Sequence, residues 1–297
     1  MINIIDKRKY FYTFSITITM VSLIMLMTWG LKLGKDFTGG TRMNVQFSQE
    51  EVTGQIQDSL KSLNLKELSI QKSQNNSVVI NYGSSDEVLN NKVREKLKEL
   101  DSGCKELRTE FTGASVSDQI KKNAFLAVIL ANVGIGLFIA WAFRKVSRPV
   151  PSWQYGLGAV IALIHDVLIT SGVFAFLGKF YGIEVGVPFI AALLTILGFS
   201  VHDTIVVYDR IRENLLKSSR KEEFEDVVNK SLNETMARSI NTSFTVLIVL
   251  LAITIFGGES IRYFSIALLV GIFFGTYSSI FVASALLVTS HKMKLKN

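Results

Sequence analysis

Two histidine–aspartate pairs interrupt stretches of the sequence that are otherwise apolar. They are His165-Asp166, which follows Ile161–Ile164, and His202-Asp203. A carboxylate near the middle of a bilayer costs roughly 2.5–3.5 kcal/mol on insertion scales, so hydrophobic partitioning alone does not explain its presence there. A carboxyl group held away from water inside a helix bundle is suited to binding and releasing a proton. We therefore predict that Asp166 and Asp203 belong to a proton relay.

Imidazole and guanidinium groups near Asp203 widen the candidate site. Arg238 opens a later apolar stretch, and Arg210 and Arg212 lie one to two helical turns beyond Asp203. His202 is able to extend a relay, although adjacent residues on a helix point about 100° apart. We predict relay roles for Arg238 and His202 together with the two aspartates.

Structural roles remain open for both carboxylates. Asp203 could pair with a nearby arginine as a buried ion pair or reach the membrane surface, and Asp166 could be a hydrogen-bonded packing residue. A zinc or iron site is disfavoured because no third or fourth ligand recurs at helical spacing. The sequence also has no Walker-type phosphate loop and no serine–histidine elbow motif. We therefore predict neither a metal, nor a cofactor, nor an enzymatic activity.

Six apolar stretches are long enough to cross a bilayer, which requires about 20 residues each. They are Phe11–Leu31, Asn123–Phe143, Tyr155–Gly178, Val185–Tyr208, Ser239–Gly258 and Phe264–Ser290. A mean hydropathy of +0.34 is typical of such a chain. We predict a polytopic α-helical membrane protein in which residues 1–31 hold the first helix, 32–122 form a separate domain and 123–297 form a five-helix bundle. Within that bundle, residues 209–238 form a predicted cytoplasmic loop.

The net charge of +7 reflects membrane topology rather than nucleic-acid binding. If the six helices alternate in direction, sixteen of the 32 Lys and Arg residues fall on one side, outside the 32–122 interval. The two short loops on the other side carry only Lys179 and Arg262. By the positive-inside rule, both termini are cytoplasmic and residues 32–122 are extracytoplasmic. The protein is thus expected in a membrane, in contact with membrane lipids and with no nucleic-acid partner.

The polar interval alternates between strand and helix periodicity in the order βαββαβ. The predicted strands are Arg42–Phe47, Leu68–Gln71, Val78–Tyr82 and Lys105–Phe111, and the predicted helices are Glu50–Leu63, capped by Ser48, and a second that begins at Asp86 and ends near Leu100. Gln74-Asn75-Asn76 forms the predicted hairpin. This order is that of a ferredoxin-like α+β fold, which serves many functions.

Two further patterns concern packing. Gly271 and Gly275 form a small-xxx-small pattern in the sixth apolar stretch, which predicts close helix packing, with hinge bending as the alternative. The stretch Arg212–Met236 has a broad apolar face and a charged remainder. We predict that it lies on the membrane surface or against a neighbour.

Four segments resemble the signature segments of the SecF family of bacterial protein-export membrane proteins. They are Asp36-Phe-Thr-Gly39-Gly40-Thr41, Gly198 through Glu213, Arg238-Ser-Ile-Asn-Thr242 and Gly271-Ile-Phe-Phe-Gly275-Thr-Tyr-Ser-Ser279. The segment around Asp203 is the most specific of these, whereas the glycine pair alone is not.

The resemblance implies a function beyond what the residues show. Proteins of this family pair with SecD in a twelve-helix assembly similar to resistance-nodulation-division transporters, associate with the SecYEG translocon and act on unfolded exported proteins. The pair uses the proton-motive force in late stages of export. The resemblance also implies that this chain lies in the bacterial inner membrane. By motif, Asp203 is similar to the protonatable carboxylate of the fourth helix, Arg238 to its basic companion and Asp166 to the carboxylate of the third helix.

Two other functions remain open from the residues. One is a self-sufficient proton-coupled exporter of small molecules or lipids, since intramembrane carboxylates also occur in such transporters. The other is a structural scaffold in which the carboxylates only pack. The 32–122 domain is too small to hold a long unfolded chain, so we expect substrate capture to rest mainly with the larger partner.

Overall fold

The computed structural model describes residues 2–48, 53–73, 76–84, 86–144, 149–218 and 222–296. In chain order its elements are α1 (Arg8–Thr28), α2 (Lys35–Thr38), β1 (Gly40–Gln46), α3 (Thr53–Lys61), β2 (Ser69–Lys72), β3 (Ser77–Tyr82), α4 (Glu87–Leu100), β4 (Lys105–Thr112), α5 (Ala114–Ala142), α6 (Ser152–Tyr181), α7 (Val187–Lys217), α8 (Phe224–Phe256), α9 (Glu259–Ser278), a π-helical turn (Ser279–Ala283) and α10 (Ser284–Lys296). They form two compact units, one helical and one built around the sheet.

The helical unit comprises Met1–Lys32, Leu126–Ile183 and Pro188–Asn297. Within the described residues, six helices are long and apolar enough to cross a membrane: α1, α5, α6, α7, α8, and a last one of 34 residues that joins α9 to α10 through the π-helical turn. The predicted membrane architecture is therefore confirmed. The helices extend beyond the predicted apolar stretches, since α5 begins at Ala114 rather than Asn123. Hydropathy detects only the apolar part of a helix, and the first turns of α5 are polar.

The predicted loop 209–238 is mostly helical. It consists of the end of α7 and the start of α8, and residues 219–221 between them lie outside the described part. Phe224, Val228 and Leu232 are buried in a core cluster that also contains Ile4 and Leu287. The apolar face of this stretch thus packs largely against other parts of the same chain, although Leu216 is 74% exposed.

Close approach of helices explains several glycines of the helical unit. A Cβ atom built on Gly172 of α6 would lie 2.6 Å from the Cα of Ser22 on α1. On Gly271 of α9 it would lie 2.1 Å from the Cδ1 of Ile196 on α7. Gly172 thus lets the backbones of α6 and α1 meet, and Gly271 leaves room for the side chain of Ile196, as a small-residue pattern predicts.

The second unit comprises Leu33–Phe125 and Glu184–Val187. Its four strands pair antiparallel in the order β2-β3-β1-β4. Two helices, α3 and α4, complete the βαββαβ order, and the predicted ferredoxin-like fold is confirmed. The core between sheet and helices is apolar and includes Met43, Ile56, Ile80, Val93 and Leu97.

Element ends in this unit follow the predictions to within a few residues. Asp86 caps α4 as predicted, since its Oδ1 accepts a hydrogen bond from the Val88 amide at 3.0 Å. Strand β1 begins two residues before the predicted start at Arg42. The predicted helix start at Glu50 and the hairpin residues Gln74 and Asn75 lie outside the described residues.

Candidate functional site

Asp166 lies at a junction of three membrane helices and has no exposed surface. Its Oδ2 accepts hydrogen bonds from the Ser200 hydroxyl of α7 at 2.6 Å and from the Ser278 hydroxyl of α9 at 2.9 Å. Its Oδ1 lies 2.9 Å from Nδ1 of His165, its neighbour on α6. All these partners are buried. Hydroxyl and imidazole groups, which can each donate or accept a proton, therefore surround the carboxyl group.

His165 extends this cluster away from the carboxyl group. Its ring stacks on that of Tyr277, with centroids 6.4 Å apart, and the Tyr277 hydroxyl donates to the Phe11 carbonyl of α1. The other ring nitrogen of His165, Nε2, is buried and has no hydrogen-bond partner among the described residues. One imidazole nitrogen is thus engaged with Asp166 while the second is available.

Asp203 occupies a separate site between α7 and α8. Its Oδ1 accepts a hydrogen bond from the Ser239 hydroxyl at 2.5 Å, and its side chain is largely buried. Its second oxygen, Oδ2, is buried and lacks a hydrogen-bond partner within the described part of the chain. The site therefore holds a carboxyl oxygen that is able to accept a proton or a hydrogen bond.

Arg238 and His202 lie next to this site in sequence, but neither forms a hydrogen bond or ion pair with Asp203 among the described residues. Each directly precedes a member of the Asp203–Ser239 pair, and each is exposed on the surface of its helix. In the described ranges, no carboxylate oxygen lies within 4.0 Å of the Arg238 guanidinium, and no hydrogen bond joins His202 to Asp203. Their roles in a relay remain predictions.

The two carboxylates lie on neighbouring helices, Asp166 on α6 and Asp203 on α7, and face different partners. Ser200, which contacts Asp166, precedes Asp203 by three residues, which corresponds to about 4.5 Å along the helix axis. Thr204, the residue after Asp203, has its Oγ1 2.7 Å from Ser279 Oγ. Asp166 thus contacts the stretch of α7 that carries Asp203, although no direct hydrogen bond between Asp166 and Asp203 occurs in the residues described.

Gly275 belongs to the Asp166 site. A Cβ atom at Gly275 would lie 2.9 Å from the Cβ of Ser200 and 3.5 Å from Asp166 Oδ2. The absence of a side chain therefore lets α9 approach α7 closely enough for Ser278 to reach the carboxyl group. Gly271, one turn earlier, has the same effect against Ile196.

The segment that contains Asp36, Gly39 and Gly40 belongs to the sheet-containing unit. Asp36 Oδ2 accepts a hydrogen bond from the amide of Val187, the first residue of α7, at 2.8 Å. Gly40 has φ +113°, and a Cβ atom there would lie 2.2 Å from the Tyr82 carbonyl oxygen. Asp36 thus caps α7, and the glycine pair admits a backbone conformation and an approach that other residues resist.

Several residues of the site escaped the sequence analysis. They are Ser200, Ser239, Ser278, Ser279 and Thr204, all of them buried hydroxyl residues inside membrane helices. Ser200 lies one turn from Asp203, and Ser239 follows Arg238, so their positions beside the predicted residues offered a signal. His165 was noted only as a neighbour of Asp166, and its contact with the carboxyl group now places it in the site.

No cluster of three or more His, Cys, Asp or Glu side chains that could hold a metal ion occurs among the residues described. The chemistry that the two sites offer is proton exchange and hydrogen bonding. Carboxyl and imidazole groups of this kind are typical of proton relays inside membrane proteins.

Comparison with known proteins identifies the family. Residues 92–293 match the family model of the protein export membrane protein SecD/SecF, C-terminal. The protein translocase subunit SecF of Thermobaculum terrenum is 44% identical, over 97% of this chain and 94% of that protein. The subunit SecF of Sebaldella termitidis is 38% identical, over 99% of this chain and 93% of that protein.

Solved structures agree with this relationship. A crystal structure of SecDF, a translocon-associated membrane protein from Thermus thermophilus, superimposes with a TM-score of 0.82 at 32% identity and 98% coverage of this chain. A second, of SecDF in a super-membrane-facing form, gives 0.71 at 30% identity. The chain spans 39% of the length of each of those SecDF chains. With a family model over two thirds of its length and full-length relatives in agreement, the chain belongs to the SecF family of protein translocase subunits.

Proposed function

We propose that this Sec translocase subunit couples the proton-motive force to late stages of protein export, with Asp166 and Asp203 as its proton-exchanging groups. The observation that carries the proposal is Asp166 itself, a carboxyl group with no exposed surface inside a membrane helix. In the part of the chain described, its contacts are hydroxyl and imidazole groups rather than lysine or arginine. A permanent ion pair is therefore not what holds it in place.

The energy released by proton movement is large enough to drive a conformational change. One elementary charge that crosses 100 mV releases about 2.3 kcal/mol, so a few protons per cycle can bias a conformational equilibrium. We assign Arg238 as the basic companion of Asp203 because it adjoins Ser239, which already contacts that carboxyl group. His165, rather than His202, is the imidazole in contact with a relay carboxylate.

A SecD subunit is the proposed partner, and α7 and α8 provide the surface. Polar or small side chains are exposed there on both helices at membrane depth, and we call this surface the α7–α8 polar stripe. It consists of Thr195, Gly198 and His202 on α7 and of Arg238, Asn241, Thr242 and Thr245 on α8. Lipid chains offer such groups no hydrogen bonds, so another protein is the favourable cover. The more apolar faces of α1 and α5 then contact membrane lipids.

Topology and the remaining partners complete the proposal. Both termini are cytoplasmic and residues 32–122 are extracytoplasmic, as the distribution of Lys and Arg predicts. The SecYEG translocon is the proposed associate of the assembly, and unfolded exported proteins are its substrates. Because the extracytoplasmic domain is small, SecD contributes most of the contact with substrate.

The test is late export in membrane vesicles that carry the complete assembly, measured with and without an ionophore. Asp203→Asn retains the size and hydrogen-bonding capacity of the side chain but cannot ionise. We expect the variant subunit to insert and copurify with SecD, and the ionophore-sensitive part of export to disappear. Unchanged ionophore-sensitive export would refute the proposed role of Asp203.

A further inference from the structure

The last membrane helix is interrupted by a π-helical turn next to the Asp166 site. The turn runs from Ser279 to Ala283, between α9 and α10, and most of its side chains are buried. Single π-helical turns inside α-helices are uncommon and occur frequently at functional sites. Here the turn directly follows Ser278, the residue that donates to Asp166.

The turn determines where two serines point. Ser278 donates to Asp166, whereas Ser279 donates to the Ser200 carbonyl at 3.1 Å and contacts Thr204 Oγ1. Loss of the extra residue of a π turn shifts one side of a helix against the other by about 1.5 Å and 100°. Such a shift would carry both hydroxyl groups away from their partners.

Tyr208 of α7 holds the turn from a neighbouring helix. Its hydroxyl donates to the carbonyl of Ala283, the last residue of the turn, at 3.2 Å. The Tyr208 side chain is fully buried, and its ring packs edge-on against Tyr155 with centroids 5.2 Å apart. On the other side, a Cβ atom at Gly158 of α6 would lie 2.8 Å from the Tyr208 hydroxyl. Gly158 thus provides the space that this hydrogen bond needs.

We propose that Tyr208 is a positioning residue for the Asp166 site, because its hydrogen bond to Ala283 holds the π-helical turn in the register that presents Ser278 to the carboxyl group. The proposal rests on the proton-relay function of Asp166. It assigns to Tyr208 no contact with the proton itself.

Few groups lie close enough to Asp166 to affect its proton exchange directly. His165 on α6 is in contact with it, and α9 contributes Tyr277 beyond that histidine. From α7 and α9 the direct contacts are the hydroxyl groups of Ser200 and Ser278, and Asp203 faces α8 instead. Loss of the Ser278 contact is therefore the change by which Tyr208 acts on the site.

The test compares Tyr208→Phe with Tyr155→Phe in the full subunit purified with its SecD partner. Both variants lose one buried phenol hydroxyl from the same aromatic cluster, but the Tyr155 hydroxyl has no hydrogen-bond partner in the described residues. Hydrogen–deuterium exchange over residues 279–285 reports on the turn. We expect exchange at least about threefold faster in Tyr208→Phe than in the wild type, and unchanged exchange in Tyr155→Phe.

The second readout is the pH profile of ionophore-sensitive export. Tyr208→Phe is expected to displace the profile by about half a pH unit or more, and Tyr155→Phe to leave it unchanged. Gly158→Ala, which crowds the Tyr208 hydroxyl without removing it, should reproduce both effects and serves if Tyr208→Phe folds poorly. Equal behaviour of the Tyr208 and Tyr155 variants in exchange or in pH profile would overturn the proposal.

Asp166→Asn separates this proposal from the function on which it rests. If that variant leaves the pH profile of export as in the wild type, the relay role of Asp166 is wrong. Hydrogen–deuterium exchange in the Tyr208 and Tyr155 variants still tests whether Tyr208 stabilises the turn, because this measurement does not depend on proton transfer. If Asp166→Asn does change the pH profile but Tyr208→Phe leaves hydrogen–deuterium exchange unaltered, only the positioning role of Tyr208 is refuted.

Discussion

Asp166 of α6 and Ser278 of α9 are joined by a hydrogen bond of 2.9 Å across 112 residues of sequence. The same carboxyl oxygen also accepts from Ser200 of α7, so one atom links three membrane helices. A change in the charge of this carboxyl group alters both contacts together. This is the structural basis on which proton uptake could change the packing of the bundle.

Removal of the Ser278 hydroxyl should therefore impair energised export. A hydrogen bond to an ionised group contributes about 1.5–3 kcal/mol, and we expect Ser278→Ala to reduce ionophore-sensitive export at least severalfold. Thr254→Ala is the matched control, because among the described residues the Thr254 hydroxyl donates only to the Leu250 carbonyl of its own helix. Equal export in the two variants would show that the Ser278 contact has no functional weight.

Gly275→Ala should destabilise the bundle and impair export. The new Cβ atom would lie 2.9 Å from the Cβ of Ser200, which is fixed to the α7 backbone, so the helices must separate. Overpacking of this kind costs about 1–3 kcal/mol, measurable as a lower thermal unfolding temperature in detergent. Gly134→Ala is the control, since nothing lies within 4 Å of its added carbon. A stable, active Gly275→Ala variant would contradict the close approach.

Asp36→Ala should weaken the start of α7. The Val187 amide loses its acceptor, and loss of a helix cap costs about 1 kcal/mol. Hydrogen–deuterium exchange at the amides of Val187, Phe189 and Ile190 should become several times faster. Asp36→Asn keeps an oxygen acceptor and should retain most of the protection, so equal exchange in the two variants would argue against capping.

The small unit should lose part of its stability in acid through Glu106. A bidentate hydrogen bond from Arg94 to the Glu106 carboxylate, with N–O distances of 2.7 and 3.2 Å, lowers the pKa of Glu106 below its ordinary value of 4.5. A lowered folded-state pKa means that the contribution is present above pH 4.5 and is lost as the pH falls through the lower folded-state value.

Both side chains of this pair are about one-third exposed, so its contribution is at most about 1 kcal/mol. Amide exchange of α4 and β4 in the intact protein measures it. Arg94→Met should speed exchange at pH 7 and remove the acid-dependent change below pH 4.5. Acid-dependent exchange that is the same in the variant and the wild type would exclude Arg94 as the cause.

Periodicity predicted the larger features of the fold because each has a local signal. The six membrane helices are apolar along their length, and the strands around Met43 and Ile80 carry a repeating pattern of apolar residues. Both patterns are repeated many times within one element, so they can be read from the sequence. Asp86 was found as a cap because its position before a helix is itself the signal. The observed ends of helices differ from the predicted ends where polar turns continue a helix beyond its apolar stretch, as at Ala114.

The details of the site could not be predicted in the same way. Serine inside a membrane helix commonly bonds to its own backbone, so only the crossing of helices reveals that Ser278 and Ser200 face Asp166. The π-helical turn is a matter of hydrogen-bond register, which side-chain pattern does not encode. His202 was predicted from its place beside Asp203, and its relay role stays a prediction. His165 was not predicted from the same adjacency, yet its ring contacts the carboxyl group of Asp166.

Proton flux tests the central claim most directly. The subunit is reconstituted with its SecD partner and the SecYEG translocon in proteoliposomes that enclose a pH-sensitive dye, and a membrane potential is imposed while export proceeds. We predict that the wild type shows proton flux linked to export, and that Asp166→Asn and Asp203→Asn each lose it while the complex remains assembled. Wild-type flux in both variants would contradict the proposal that these buried carboxyl groups carry protons.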